Sequence, residues 1–209
     1  MSSALQFVPM AFSLMAITFG TSALINCRTV EIISTAGAII EAGVFAYKTV
    51  GFVQTSEAIY AVSVCQSYKV LSDDFGFDYE TDKLMQTLER IAITVPVIGG
   101  IALIGNGIAL CAGSPNPMIW KFFGLCFIVC SILQGVGLKI MDSYICTNNP
   151  VVQYMEENTP SIGDQFQSDC VFGMGMRLGI SAVVFWAVAG LACLATNGPD
   201  LSGDSPEEK

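Results

Sequence analysis

The chain has 209 residues, of which 53% are hydrophobic and 13% charged, and its formal net charge is −9. A soluble domain carries about 25% charged residues, so this composition favours a protein whose solvent is largely lipid. The negative balance speaks against nucleic acid as a partner and against polybasic attachment to anionic lipid.

Four long apolar segments divide the chain, each with about the 20 residues that a helix needs to cross roughly 30 Å of hydrocarbon. They predict an all-α membrane protein, a left-handed bundle of four transmembrane helices at about 5–25, 81–112, 118–140 and 173–196. No short basic segment precedes the first, so we interpret it as a retained helix rather than a cleaved signal peptide. The second is rich in glycines, which permit close helix contact in lipid: Gly99, Gly100, Gly105 and Gly107.

Residues 26–80 form a long loop whose first half is rich in β-branched and aromatic residues with glycines between them. This pattern predicts short strands, and therefore a small β-rich first loop. The alternative is an amphipathic helix that lies on the membrane. The apolar residues expected to form the sheet and any partner surface are Val44, Phe45, Tyr47 and Phe52.

The later part of the same loop is acidic. Its carboxylates offer oxygen ligands of the kind that an extracellular Ca²⁺ prefers, and the candidates for such a cation contact are Asp73, Asp74 and Asp78. The alternative, which we favour, is a solvated acidic surface that caps the N-terminus of the next helix.

The remaining connections are shorter. Two prolines end the second helix and allow the third to begin within residues 113–117. Residues 141–172 form a second loop, and residues 197–209 form an acidic tail rich in proline and glycine that we expect to be disordered. Residues 1–196 are therefore predicted to be a single membrane domain.

Four spans place both termini on one side of the membrane and both loops on the other. Seven of the nine bases lie on the loop side, which by the positive-inside rule would place the loops in the cytosol. The cysteines argue the opposite, because Cys146 and Cys170 bracket the second loop as a disulfide would, and such bonds persist only in an oxidising compartment. We favour loops outside the cell and cytosolic termini.

Three further positions inside the spans have two interpretations each. Cys111 and Cys193 lie near the expected cytosolic ends of the second and fourth helices, where S-palmitoylation occurs. The alternative is that both are small hydrophobic residues buried by packing. Asn106 predicts a hydrogen bond between helices, with a substrate or ion contact as the alternative.

This layout resembles the superfamily of claudins, peripheral myelin proteins and fungal Sur7-type proteins. The local matches are Gly43-Val44-Phe45 or Gly51-Phe52 in place of the claudin Gly-Leu-Trp, then Cys65 with Gln66-Ser67-Tyr68-Lys69, and Arg90 at the start of the second span. The resemblance implies a disulfide in the first loop, for which Cys27 and Cys65 are the candidate pair. It also implies a four-helix bundle below a small extracellular sheet.

No catalytic signature is present, and the absence of histidine removes the commonest general base. We therefore expect a non-enzymatic protein without cofactor or metal, in the plasma membrane. We expect its partners to be membrane lipids and either other membrane proteins or further copies of itself. We expect its role to be adhesion, membrane-domain organisation or that of an auxiliary subunit of a membrane complex. The alternative is a channel or transporter subunit whose acidic loop attracts cations.

Overall fold

The computed structural model describes residues 4–54, 59–75, 83–112, 116–163 and 165–196. Asp78 and the tail at 197–209, both discussed above, lie outside these ranges. The chain divides into two compact units. The helix unit contains the described residues within 1–20, 93–135 and 180–209, and the sheet unit contains the described residues within 21–92 and 136–179.

Within the described residues, four helices are long and apolar enough to cross a membrane, as the sequence predicts. The helices in chain order are α1 (Ala4–Ile25), α2 (Tyr68–Phe75), α3 (Lys83–Ala112), α4 (Pro117–Gly137), α5 (Tyr144–Thr147), α6 (Pro150–Asn158), α7 (Pro160–Gly163) and α8 (Met174–Ala195). The third span differs from its predicted end at residue 140. The α-helix stops at Gly137, and a 3-10 turn, Leu138–Asp142, follows it.

In the helix unit large aliphatic side chains are exposed, while the largest buried side chains are aromatic. On α3 the exposed side chains are large and aliphatic, and Ile101 and Ile104 are 68% and 66% exposed. The buried side of the same helix carries small or polar residues, among them Ala102 and Asn106. Lipid is as apolar as a leucine side chain, so such helices associate through close packing and polar contacts rather than through hydrophobic burial.

Two of the glycines on α3 provide this close packing. A Cβ atom on Gly99 would lie 2.7 Å from Cζ2 of Trp186 on α8, and one on Gly105 would lie 2.5 Å from Cζ of Phe123 on α4. Gly100 and Gly107 have only ordinary contacts, at 3.6 and 3.9 Å. Close contact that a side chain would obstruct is therefore found at Gly99 and Gly105, whereas Gly100 and Gly107 have ordinary van der Waals contacts.

Replacing Gly99 with alanine should destabilise the protein by roughly 1–3 kcal/mol, the usual cost of overpacking. The ring of Trp186 cannot easily move aside, because it is 1% exposed and stacks on Phe127 with 5.6 Å between ring centroids. Gly100→Ala is the matched control, since its Cβ meets only the end of Ile17. The thermal unfolding midpoint in detergent should fall for the first variant and not for the second; equal midpoints would contradict the packing described here.

The sheet unit contains a five-stranded antiparallel sheet with the order β4-β3-β2-β1-β5. Its strands are β1 (Val30–Ser34), β2 (Ile39–Ala42), β3 (Ala46–Gln54), β4 (Ile59–Ser67) and β5 (Phe166–Phe172). The strands predicted for the first half of the first loop are confirmed, and the alternative of a membrane-surface helix is wrong for that half, while the later part of the loop contains the helix α2. The fifth strand comes from the second loop, which the sequence interpretation did not predict.

The sheet begins with a hairpin whose turn contains Gly37. This residue has φ of 84°, a left-handed conformation that glycine adopts without steric cost. Two hydrogen bonds between Ser34 and Ala38 close the turn. The backbone N–H of Ser34 donates to the carbonyl of Ala38, and the backbone N–H of Ala38 donates to the hydroxyl of Ser34. The two strands consequently pair in a fixed register, with Ile33 opposite Ile39.

One face of this sheet packs on a hydrophobic core inside the sheet unit. Val30, Ala42 and Tyr47 face this core, together with Met85 and Leu88 from the first turns of α3. These α3 residues are spaced three apart, so they lie on one side of the helix. Further members come from the second loop and the start of α8: Ile140, Ile145, Cys146 and Met176.

Both expected disulfides are present. Cys27 and Cys65 are 2.02 Å apart between their sulfur atoms, and Cys146 and Cys170 are 2.00 Å apart. The first bond connects the end of α1 to the edge strand β4, and the second connects α5 to the edge strand β5. Both edges of the sheet are therefore held by covalent bonds.

Candidate functional site

A row of residues crosses the face of the sheet opposite the core. Glu31 on β1 lies opposite Glu41 on β2 and, on its other side, opposite Val171 on β5. On β3, Lys48 forms an ion pair with Glu41 and lies opposite Cys65 of β4. We call this side of the sheet the charged face.

Glu41 is the centre of the charged face. Its side chain is only 7% exposed, and its two carboxylate oxygens form ion pairs with Arg28 and with Lys48. Arg28 also lies 3.7 Å from Glu31. Two like charges directly opposite each other would destabilise a pair of strands, and the two cations compensate for this repulsion. The buried carboxylate is paired, as buried charges must be.

The row ends at the disulfide Cys27–Cys65. Cys27 is buried and immediately precedes Arg28, while Cys65 is opposite Lys48. The disulfide therefore joins the segment after α1, which carries Arg28, to β4. This strand pairs with β3, which carries Lys48. The sequence placed these cysteines as a candidate pair, but it did not indicate that they flank an ion-pair cluster.

Exposed apolar side chains border the row. Ile33 and Ile39 are paired across β1 and β2 at the next position of the same face, and they are 37% and 52% exposed. Val171 on β5 is 40% exposed. The charged face thus combines a compensated set of charges with three exposed aliphatic side chains, which is a composition suited to contact with another protein.

The residues predicted to form a partner surface are distributed differently. Val44 and Tyr47 are buried in the core of the sheet unit, and Phe45 packs partly buried against it. Val44 and Tyr47 are therefore not available to a partner, and their prediction as surface residues is wrong. Phe52 lies in β3, and its side chain is outside the described part of the structure.

A buried tyrosine connects this core to the turn between β2 and β3. The hydroxyl of Tyr68 donates a hydrogen bond of 2.7 Å to the carbonyl of Gly43. Burial, together with the negative charge of Glu89, raises the pKa of Tyr68 above its ordinary value. The hydroxyl therefore remains protonated and continues to donate throughout the physiological range of pH.

Only part of the acidic stretch of the first loop lies within the described residues. Asp73 and Asp74 lie in α2, and Asp73 is exposed. Asp78 falls outside the described residues, so a cation contact that uses all three remains a prediction. Within the described ranges no group of three or more His, Cys, Asp or Glu side chains could hold a metal ion.

In the helix unit, Asn106 forms the predicted hydrogen bond between helices. Its amide Nδ2 donates to the sulfur of Cys193 on α8 at 3.3 Å, and both residues are fully buried. Cys193 is consequently enclosed between helices, where an acyltransferase could not reach it. Cys111 is exposed at the end of α3, and it remains the candidate for palmitoylation.

The charged face can bind by ionic and apolar contact. Its ion-paired residues all lie within residues 28–48, whereas the exposed Val171 comes from β5 in the second loop. The one sequence signal that points to it is the spacing of Glu31, Glu41 and Lys48 within a loop of strand-like composition. Comparison of the chain with protein-family models and with curated proteins found no match in either case.

Proposed function

We propose that the chain is a non-enzymatic, claudin-like integral membrane protein that acts through contact with other proteins. The contact would serve adhesion, membrane-domain organisation or the assembly of a larger membrane complex. Four apolar helices and a sheet closed by two disulfides support this role, because together they form an anchor and a rigid surface. We also propose the left-handed helix crossing that is usual in membrane bundles.

We propose further that the sheet unit is extracellular and that both termini are cytosolic, in the plasma membrane. The support is chemical: the two disulfides lie in the sheet unit, whereas the free cysteines Cys111, Cys126, Cys130 and Cys193 all lie in the helix unit. Disulfides persist in oxidising compartments and are rare in the cytosol.

Intact cells treated with a membrane-impermeant amine reagent should become labelled at Lys69 and not at Lys121. Both side chains are exposed, the first in α2 and the second in the first turn of α4. Mass spectrometry of the isolated protein provides the readout. Permeabilised cells are the control, in which both lysines should react. Labelling of Lys121 alone in intact cells would reverse the proposed orientation.

The observation that carries the proposed role is the charged face with its exposed Ile33, Ile39 and Val171. Aliphatic side chains that remain exposed on a sheet beside polar groups are typical of protein interaction sites. We propose that these three side chains become buried on contact and that the ion pairs around Glu41 determine which surfaces fit.

Replacing Ile39 with serine should reduce contact and leave the fold intact. Burying an isoleucine contributes roughly 1.5–3 kcal/mol, so association should weaken by about tenfold or more. The measurement is aggregation of suspended cells, together with co-isolation of partners from native membranes, at equal surface expression. Val70→Ser is the matched control, since Val70 is an exposed aliphatic residue on α2, away from the charged face. Equal loss in both variants would contradict the proposed surface.

A further inference from the structure

A small cleft lies in the sheet unit, beside the disulfide Cys146–Cys170. Its volume is about 110 Å³. The cleft is lined by the apolar residues Ile32, Val152 and Phe166, by Cys146 of the disulfide, and by five polar residues, namely Thr147, Asn148, Asn149, Gln153 and Glu156. The cleft is separate from the charged face, because Ile32 follows Glu31 in β1 and so points to the opposite side of the sheet.

The walls of the cleft are held in place by several contacts. The disulfide connects α5 to β5. Asn149 fixes the start of α6, since its side-chain oxygen accepts the N–H groups of Val151 and Val152 while its Nδ2 donates 2.8 Å to the carbonyl of Ile145. Gln153 donates to Asn148 at 2.6 Å and accepts from the hydroxyl of Tyr144 at 3.1 Å. The cleft is therefore formed before any ligand binds.

The size and charge of the cleft limit what it can bind. Its volume is well below the roughly 300–1,000 Å³ of sites for small-molecule ligands, so it suits a single side chain. An anion is disfavoured, because Asn149 already occupies the first N–H groups of α6. Among the described residues that line the cleft, Glu156 is the one charged residue, and it is exposed at the rim. These features favour a cation on an apolar stem.

We propose that this cleft binds one arginine side chain of a partner polypeptide. The methylene stem packs on Ile32, Val152 and Phe166, as the stems of long basic residues commonly do. The guanidinium group meets the carboxylate of Glu156 and the amide oxygens of Asn148 and Gln153, each of which has a second lone pair available. Arginine fits better than lysine, because its planar fork of donors serves several acceptors and stacks on aromatic rings. The inference rests on the proposed role in protein contact.

Its test uses the full-length protein in lipid nanodiscs with ¹³C-labelled isoleucine and valine methyl groups. The probe is the peptide acetyl-Gly-Arg-Gly-amide, and the comparison peptide carries citrulline, which has nearly the same shape without the charge. We expect saturable shifts of the Ile32 and Val152 methyl signals, with a Kd on the order of millimolar. The citrulline peptide should bind about tenfold more weakly, because a charge-assisted bond is lost.

Glu156→Gln should weaken binding of the arginine peptide by about tenfold, whereas Glu157→Gln, at an exposed neighbour that does not line the cleft, should leave the Kd unchanged. Absence of saturable shifts up to about 50 mM peptide, equal binding of both peptides, or an unchanged Kd in Glu156→Gln would each overturn the inference. If peptide binding is absent while Ile39→Ser still reduces cell aggregation, the cleft proposal fails and the proposed function stands.

Discussion

Replacing Gly173 with alanine is expected to destabilise the sheet unit strongly and to lower the yield of folded protein. At this position the chain runs directly against the segment that follows α1: Gly173 donates its N–H to the carbonyl of Thr29, and Gly175 donates to that of Arg28, both at 3.0 Å. A Cβ on Gly173 would lie 2.8 Å from the carbonyl carbon of Arg28 and closer still to its oxygen. Because these are backbone atoms, they cannot rotate away, and we expect a cost of about 3 kcal/mol or more.

The measurement is the yield of folded protein in detergent and its thermal unfolding midpoint. Gly135→Ala is the control, since Gly135 lies in α4 and a Cβ there would have no neighbour within 4 Å. This variant should be neutral or slightly stabilising, because alanine favours helix over glycine. A Gly173→Ala protein with the midpoint of the unaltered chain would mean that the two backbone segments are not in contact.

The second large effect concerns Glu41 and its two cations. Replacing both Arg28 and Lys48 with methionine would leave a buried carboxylate unpaired and opposite Glu31, and removing the partners of a buried charge costs roughly 3–5 kcal/mol. Glu41→Gln alone should cost much less. The cations it leaves behind are 46% and 31% exposed, so water can solvate them.

Adding Glu41→Gln to the double methionine variant should therefore recover most of the lost stability. The unaltered chain, the double methionine variant, Glu41→Gln and the triple variant form a mutant cycle. The coupling free energy between Glu41 and its two cations follows from their unfolding midpoints in one detergent. Lys69→Met, at an exposed residue of α2, controls for the loss of a surface lysine. If Glu41→Gln destabilised the protein as much as the double variant does, the carboxylate would not be the buried member of the cluster.

The spans could be predicted because hydropathy and length are local properties. The predicted ends of three spans fall within two residues of those observed for α1, α3 and α8. The third span was predicted too long, because Leu138 and Ile140 are apolar enough to continue the pattern while they in fact form a 3-10 turn into the core of the sheet unit.

The parts that were missed depend on residues far apart in sequence. β5 contains the polar segment Gln167-Ser168-Asp169, whose composition does not predict a strand. The strand forms because its backbone pairs with the edge of β1. The burial of Tyr47 could not be predicted because composition indicates strands but not which face of a strand is buried, and Val44 is buried in the connection between β2 and β3. The position of Glu41 between two cations likewise depends on the register of three strands.

The addition of β5 to the edge of β1 has a consequence for biosynthesis. Val30 pairs with Phe172, which leaves the ribosome 142 positions later. At about 5–20 residues per second, this interval is roughly 7–30 s. During that time the backbone groups along one side of β1 have no partner strand, and two more of the long apolar helices, α3 and α4, are synthesised. Newly made copies are therefore exposed to pairing with one another, and in the orientation proposed above lumenal chaperones that shield strand edges should raise the yield of the mature protein.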